Sequence, residues 1–391
     1  MNRNVILLCL CEALYVCYLS IGFTLISLVG QNLALDKNLA TLPFSLTVVA
    51  SAVTTIGASM LMARIGRRLG FMTGAAIGMA GGALATFAIM AGSFWLFCAG
   101  NFLMGMFKAF AQYYRFAAGE VTEPDRRASA ISLVLAGGVI AAVGGPQLAA
   151  FSRDLLAPAV FAGSFAAITV LALLTFALAA FLKVPPVTEA AKASGGRPLG
   201  DIMKTAPFIV AVTAGSVGYA VMGFVMTATP LAVIGCGYTV GEAATVIQWH
   251  LLGMFAPSFL TGRLSARIGS LKVILAGAAL SLSAAAAGAA GTSLGHFWTS
   301  LLMSGVGWNF MYVGATILLT EHHRPEERAK VQAANEFIMF TCVSLSTFIA
   351  GAFYNLYGWT AVALLGVPPV AVVLVLTLWM MARGRPATRP A

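Results

Sequence analysis

Residues 57–70 read GASMLMARIGRRLG, and residues 260–270 read LTGRLSARIGS. In the first, an apolar run ends in Ala63-Arg64-Ile65-Gly66-Arg67, and in the second it ends in Ala266-Arg267-Ile268-Gly269-Ser270, 203 residues further on. A second pair keeps step with the first. Pro124-Asp125-Arg126-Arg127-Ala128 returns as Pro325-Glu326-Glu327-Arg328-Ala329, 201 residues later. Two matches at nearly one offset, about half the chain, mark a duplicated unit, and duplicated helical bundles are how many secondary transporters are built.

The composition says what such a unit is made of. Of 391 residues, 60% are hydrophobic and 9% charged, against about 25% charged in a soluble domain. A water-facing surface cannot be assembled from this. Apolar runs of about 20 residues, enough to cross a hydrocarbon core about 30 Å thick, recur along the chain. Helices are the expected element, because a helix satisfies its backbone polar groups inside lipid. The run over 5–30 follows Arg3 but is too long for a secretory signal, contains Glu12 and leads into another span, so it is read as the first helix.

Twelve spans are expected, starting near residues 5, 41, 70, 94, 128, 158, 207, 240, 271, 296, 330 and 359. The net charge of +10 then sorts by loop. With the N-terminus inside, the even-numbered connections hold Arg64, Arg67, Arg68, Arg126, Arg127, Lys183, Lys192, Arg197, Lys204, Arg263, Arg267, Lys272, Arg324, Arg328 and Lys330. The odd-numbered ones hold only Lys37 and Arg153, and the tail adds Arg383, Arg385 and Arg389. By the positive-inside rule both termini are cytoplasmic, and no nucleic-acid partner is needed to explain the charge. Residues 184–206, with Pro185, Pro186, Gly195, Gly196 and Pro198, read as a cytoplasmic linker between bundles at 1–183 and 207–391. Six scattered cysteines without a CxxC (Cys9, Cys11, Cys17, Cys98, Cys236, Cys342) read as free thiols.

These features resemble the major facilitator superfamily over essentially the whole chain. Arg64, Gly66, Arg67 and Arg68 match its loop signature after the second helix, while Ser59 and Ala63 stand where the family usually has Gly and Asp. The second copy, 262–269, keeps Gly262 and again lacks the acid. Asn101-Phe102-Leu103-Met104-Gly105 is similar to a fourth-helix pattern that usually opens with an arginine tied to proton coupling. Gly137, Gly138, Gly144, Gly145 and Pro146 resemble the glycine-proline motif of exporters, though close helix packing through small residues is the favoured reading. The resemblance implies two six-helix bundles, alternating access and a monomer.

Polar groups inside spans are costly and so are functional candidates: Glu12, Asn101, Lys108, Gln112, Arg115, Gln248, His250, Asn309, Asn335 and Glu336. Arg115 and Glu242 are placed near helix ends, where long side chains reach the interface. Glu12 and Lys108 are candidates for a buried pair or a coupling site, with Asn101, Arg64 and Arg267 as further gating candidates.

The sharpest constellation opens the second half. Met222-Gly223-Phe224-Val225-Met226 lies in the seventh span and His250-Leu251-Leu252-Gly253-Met254 in the eighth. Each is an i, i+4 pair on one helix face. Counting 1.5 Å per residue places Met226 about 9, Met222 about 15, His250 about 14 and Met254 about 20 Å below the outer surface. Three thioethers and an imidazole make a soft site suited to Cu(I). Against this, methionine fills core gaps, and chance yields roughly 0.7 MxxxM and roughly 0.2 HxxxM pairs in such a chain.

The same four residues resemble the mark of CcoA-like copper importers, a branch that supplies copper for cbb3-type cytochrome c oxidase. That resemblance implies Met222, Met226, His250 and Met254 as copper ligands, Cys236 as an accessory thiol, and a cytoplasmic copper chaperone as partner. Copper is then the cargo and no cofactor is expected. The chain contains no Walker sequence, so transport is expected to be secondary, across a bacterial inner membrane, and no enzyme activity is expected. Two rivals stand beside it. One is a carrier of an organic solute, riboflavin-like or a drug, with Tyr113, Tyr114, Trp249, Trp308 and Tyr312 as pocket aromatics. The other is a non-transporting copper-binding membrane sensor, against which counts the lack of an appended soluble domain.

Overall fold

The computed structural model describes residues 2–36, 39, 42–184 and 196–383. Lys37, residues 185–195 of the expected linker, and Arg385 and Arg389 of the tail lie outside the described residues. Among those described, the chain is helical without a strand. The helices are α1 (Arg3–Leu33), α2 (Leu42–Ile65), α3 (Arg67–Met90), α4 (Phe94–Ala111), α5 (Tyr114–Glu120), α6 (Arg127–Ala136), α7 (Gly138–Ser152) and α8 (Ala162–Ala180). There follow α9 (Leu199–Met203), α10 (Ala206–Gly235), α11 (Val240–Phe255), α12 (Ser258–Ile268), α13 (Ser270–Ala289), α14 (Leu294–Glu321), α15 (Arg328–Leu365) and α16 (Val367–Ala382).

Ten segments among the described residues are long and apolar enough to cross a membrane. The expected count of twelve differs because two spans are divided. The span from about 128 breaks at Gly137 into α6 and α7, and the span from about 240 breaks at Ala256-Pro257 into α11 and α12. Pro257 has no N–H to continue the ladder, and its ring crowds the carbonyl four residues back. Conversely, α15 runs through Gly358, whose φ of 76° marks a kink where the eleventh and twelfth expected spans meet.

The chain forms two compact units. The first comprises Met1–Gly196 with Arg324–Ser344, and the second Arg197–His323 with Leu345–Ala391. The first half of α15 therefore belongs to the first unit, through the polar contacts described below. In the first unit α3 packs along α4 and α8, α2 lies on α4, and α1 lies on α7 and α8. In the second, α13, α11 and α10 all pack on α14.

One seam recurs in both units. A Cβ built on Gly105 of α4 would collide with the Thr47 carbonyl of α2, and one built on Gly305 of α14 would lie 2.6 Å from the His250 carbonyl of α11. Only glycine lets these backbones approach so closely. Large apolar side chains such as Val372, Val375 and Leu378 of α16 are exposed while Val370, Val373 and Thr377 beside them are buried. Such an outer surface suits lipid and not water.

Candidate functional site

The second unit holds the candidate copper residues. Met222 and Met254 are buried, His250 is fully buried, and Met226 is half-buried. An apolar cluster that includes Val225, Ala228, Val246, Phe297 and Leu301 packs α10, α11 and α14 together. Among the described residues, no three His, Cys, Asp or Glu side chains gather as metal ligands. Cys236, expected as an accessory thiol, is exposed at the C-terminal cap of α10.

The duplication explains where the HxxxM pair points. Thr47 Oγ1 donates to the Asn101 carbonyl at 3.1 Å, and Ser51 Oγ donates to the Gly105 carbonyl at 2.9 Å. In the second half His250 Nδ1 lies 2.7 Å from the Leu301 carbonyl, and Gly305 abuts the backbone at His250 and Met254. The offset of 203 residues carries Thr47 onto His250 and Ser51 onto Met254. Both residues of the pair thus sit on a helix-packing seam that the first half closes with hydroxyls. A carbonyl only accepts, so Nδ1 carries the hydrogen, and in the neutral ring Nε2 is an acceptor. Among the described residues that buried Nε2 has no hydrogen-bond partner.

Further along α14, four rings meet. Trp308 stacks on Tyr312 with centroids 4.7 Å apart and planes at 18°, while Tyr219 of α10 and Phe255 of α11 approach the Trp308 ring edge-on at 5.4 and 6.1 Å. Trp308 is buried, and among the described residues its Nε1 has no hydrogen-bond partner. Asn309 beside it bridges the α11/α12 break. Its Nδ2 donates to the Met254 carbonyl at 2.7 Å and to Ser258 Oγ at 2.6 Å, and its Oδ1 accepts from Thr261 Oγ1 at 2.7 Å. Helix ends leave carbonyls unpaired, and here one side chain takes up what the break released. Trp249 is half exposed, and Tyr113 and Tyr114 are buried in the first unit, so of the five expected pocket aromatics only Trp308 and Tyr312 come together.

The first unit gathers the ionisable groups differently from expectation. Arg115, expected at an interface, is buried on α5, and its Nη2 bonds Glu336 Oε1 of α15 at 2.5 Å, with side chains 2% and 0% exposed. Asn335 Nδ2 donates to the same oxygen at 2.8 Å, and Arg115 Nη1 donates to the Gln112 carbonyl and Oε1 at 3.0 and 3.1 Å. Of the two candidates for a buried pair, Lys108 Nζ lies 5.2 Å from the Phe340 ring centroid, and Glu12 is buried on α1. Asn101 is buried, with Nδ2 on the Phe97 carbonyl at 2.8 Å and Oδ1 without a partner.

Of the arginines in the loop signature, Arg64 and Arg267 are exposed and the buried one is Arg67. Arg67 Nη2 bonds Glu120 Oε1 at 2.7 Å and Gln332 Oε1 at 2.6 Å, and Arg328 Nη1 reaches Glu120 Oε2 at 3.1 Å. The charge cluster that the missing acid at Ala63 would have joined is built on Glu120 instead. Ala63 lines a cavity of about 70 Å³ with Arg67, Arg328 and, just ahead of α15, Pro325 and Glu326. Ala63→Asp is expected to raise the thermal midpoint by adding about 1 kcal/mol, through two guanidinium groups and a helix N-terminus. A midpoint unchanged or lowered in detergent refutes it.

A family model described as Major Facilitator Superfamily matches residues 8–256 and 236–391. The chain is 43% identical, over 99% of its own length and 98% of the relative's, to the riboflavin transporter RfnT of Brucella anthropi. It is 26% identical, over 93% of its length and 88% of the relative's, to the uncharacterized MFS-type transporter YddS of Bacillus subtilis. Among solved structures, the fucose transporter FucP in its outward conformation superposes with a TM-score of 0.78 at 17% identity, covering 98% of this chain and 99% of FucP. The human organic anion transporter MFSD10 gives 0.76 at 13%, covering 96% and 99%. These two likenesses speak for the fold alone.

Proposed function

The chain belongs to the Major Facilitator Superfamily and is a transporter, not an enzyme, and from that premise we propose that it carries a flavin-like organic solute across a bacterial inner membrane. One observation carries the reading: 43% identity to a riboflavin transporter across 99% of this chain. The ring cluster of Tyr219, Phe255, Trp308 and Tyr312 supports it, since planar aromatic solutes are held by stacked and edge-on rings with a few polar groups to orient them. Transport proceeds by alternating access of twelve spans in two halves, both termini cytoplasmic as the loop charges require. Glu12, a buried acid on α1, is the favoured coupling group among Glu12, Lys108, Asn101, Arg64 and Arg267.

Copper import stands second, and the copper chaperone stands or falls with it. His250 favours it, because ligating imidazoles commonly tie one ring nitrogen to a carbonyl and offer the other, and Met222 and Met254 are buried in the same unit. The relative named for riboflavin weighs against it, as does the seam position of the HxxxM pair. The two readings separate in one strain unable to make or import riboflavin. Expression should restore growth on riboflavin and uptake of the labelled vitamin, with copper uptake unchanged. A membrane-inserted protein that moves radioactive copper and no riboflavin reverses the order.

A further inference from the structure

The seam between α11 and α14 needs one hydrogen-bonding atom from position 250, and the first half shows what suffices. There Thr47 supplies a single hydroxyl, whose one hydrogen is shared between the Pro43 carbonyl of its own helix and the Asn101 carbonyl across the seam, each at 3.1 Å. His250 makes the corresponding bond with Nδ1 to the Leu301 carbonyl. Its remaining ring nitrogen is surplus to the packing. Nε2 is fully buried and has no partner among the described residues, and a buried acceptor left unsatisfied forfeits its hydration with nothing in return. A duplicated fold that closes the same seam with threonine has no structural need to bear that cost. Trp308, two turns further along α14 than Leu301, carries a second buried and unpartnered polar atom within the ring cluster.

We infer that His250 reads the transported solute, its Nε2 lone pair accepting a hydrogen bond from a ring N–H of imide type while the solute's ring plane is held by aromatic side chains. Riboflavin has one such group, N3–H, flanked by two carbonyls that suit a donor such as an indole N–H. No bond to the solute forms or breaks. The inference rests on the flavin reading above.

The test uses the purified full chain in detergent. Quenching of flavin fluorescence is measured with riboflavin and with N3-methylriboflavin, which lacks the donor, on the unaltered protein and on His250→Thr. Threonine is the residue that the first half carries at this place, so the seam stays closed. The unaltered protein should bind riboflavin about ten- to a hundred-fold tighter than the methylated vitamin, the range expected when a buried polar group loses its partner. In His250→Thr that preference should vanish, with N3-methylriboflavin binding little changed.

Equal binding of both flavins by the unaltered protein overturns the acceptor role, as it would if a buried water occupied Nε2. A preference that survives in His250→Thr overturns it as well. Binding of neither flavin overturns the solute reading itself, and Cu(I) binding lost in His250→Thr would then give Nε2 to the metal. Independently of any solute, nitrogen-15 spectra of the labelled imidazole should show hydrogen on Nδ1 alone. Hydrogen on both nitrogens leaves no lone pair and overturns the inference.

Discussion

Glu336→Leu is expected to cost about 3–5 kcal/mol of stability, because it takes from the buried Arg115 guanidinium the carboxylate it bonds. The pair is 2% and 0% exposed at 2.5 Å, so neither water nor lipid headgroups can stand in for the lost carboxylate. Arg115→Met should do comparable damage from the other side, leaving Glu336 charged or forcing it to take up a proton. The double variant Arg115→Met/Glu336→Leu should recover most of the loss, since two apolar side chains of similar volume often replace a buried ion pair at little cost. Thermal midpoints in one detergent give the cycle. Single variants that melt with the unaltered protein, or a double variant whose loss equals the sum of the singles, would show that the pair is not the unit described.

Glu120→Ala should have the next largest effect, about 2–4 kcal/mol, because one carboxylate serves two guanidinium groups. Arg67 and Arg328, 5% and 17% exposed, would be left without the carboxylate they share. The loss should shrink when Arg328→Gln is added, since repulsion is then relieved, and it should not shrink with Arg126→Gln, whose side chain is 75% exposed and pairs elsewhere. Equal responses to the two second substitutions would reduce the effect to general charge balance. This cluster replaces the acid absent at Ala63, so Glu120→Ala and Ala63→Asp combined should lie closer to the unaltered protein than Glu120→Ala alone.

Much of the fold is legible along the chain. Apolar runs, basic loops and the repeated ARIG segments are local patterns, each read without knowing what touches what. The two divided spans are legible only in part: Pro257 announces the break between α11 and α12, whereas Gly137 is one glycine among 41. The site is harder to read. The HxxxM pair stands out by its residue types, which suit a metal, yet the offset of 203 residues maps it onto Thr47 and Ser51. Carried through to those positions, the repeat by itself marks His250 as a seam residue, since two copies of one unit close their helix contacts at matching places.

Chain order and side-chain polarity by themselves determined that this is a duplicated membrane bundle of transporter type, because insertion in lipid responds to runs of about 20 residues and to flanking charge. Only the tertiary structure decided which buried charges meet. Arg115 and Glu336 are 221 residues apart, Arg67 and Gln332 265, and no local periodicity encodes such a pairing. It also decided which nitrogen of His250 is spent on the Leu301 carbonyl and which is free. Helical spacing gives a side chain's face, but the orientation of an imidazole ring is set by the neighbour it bonds.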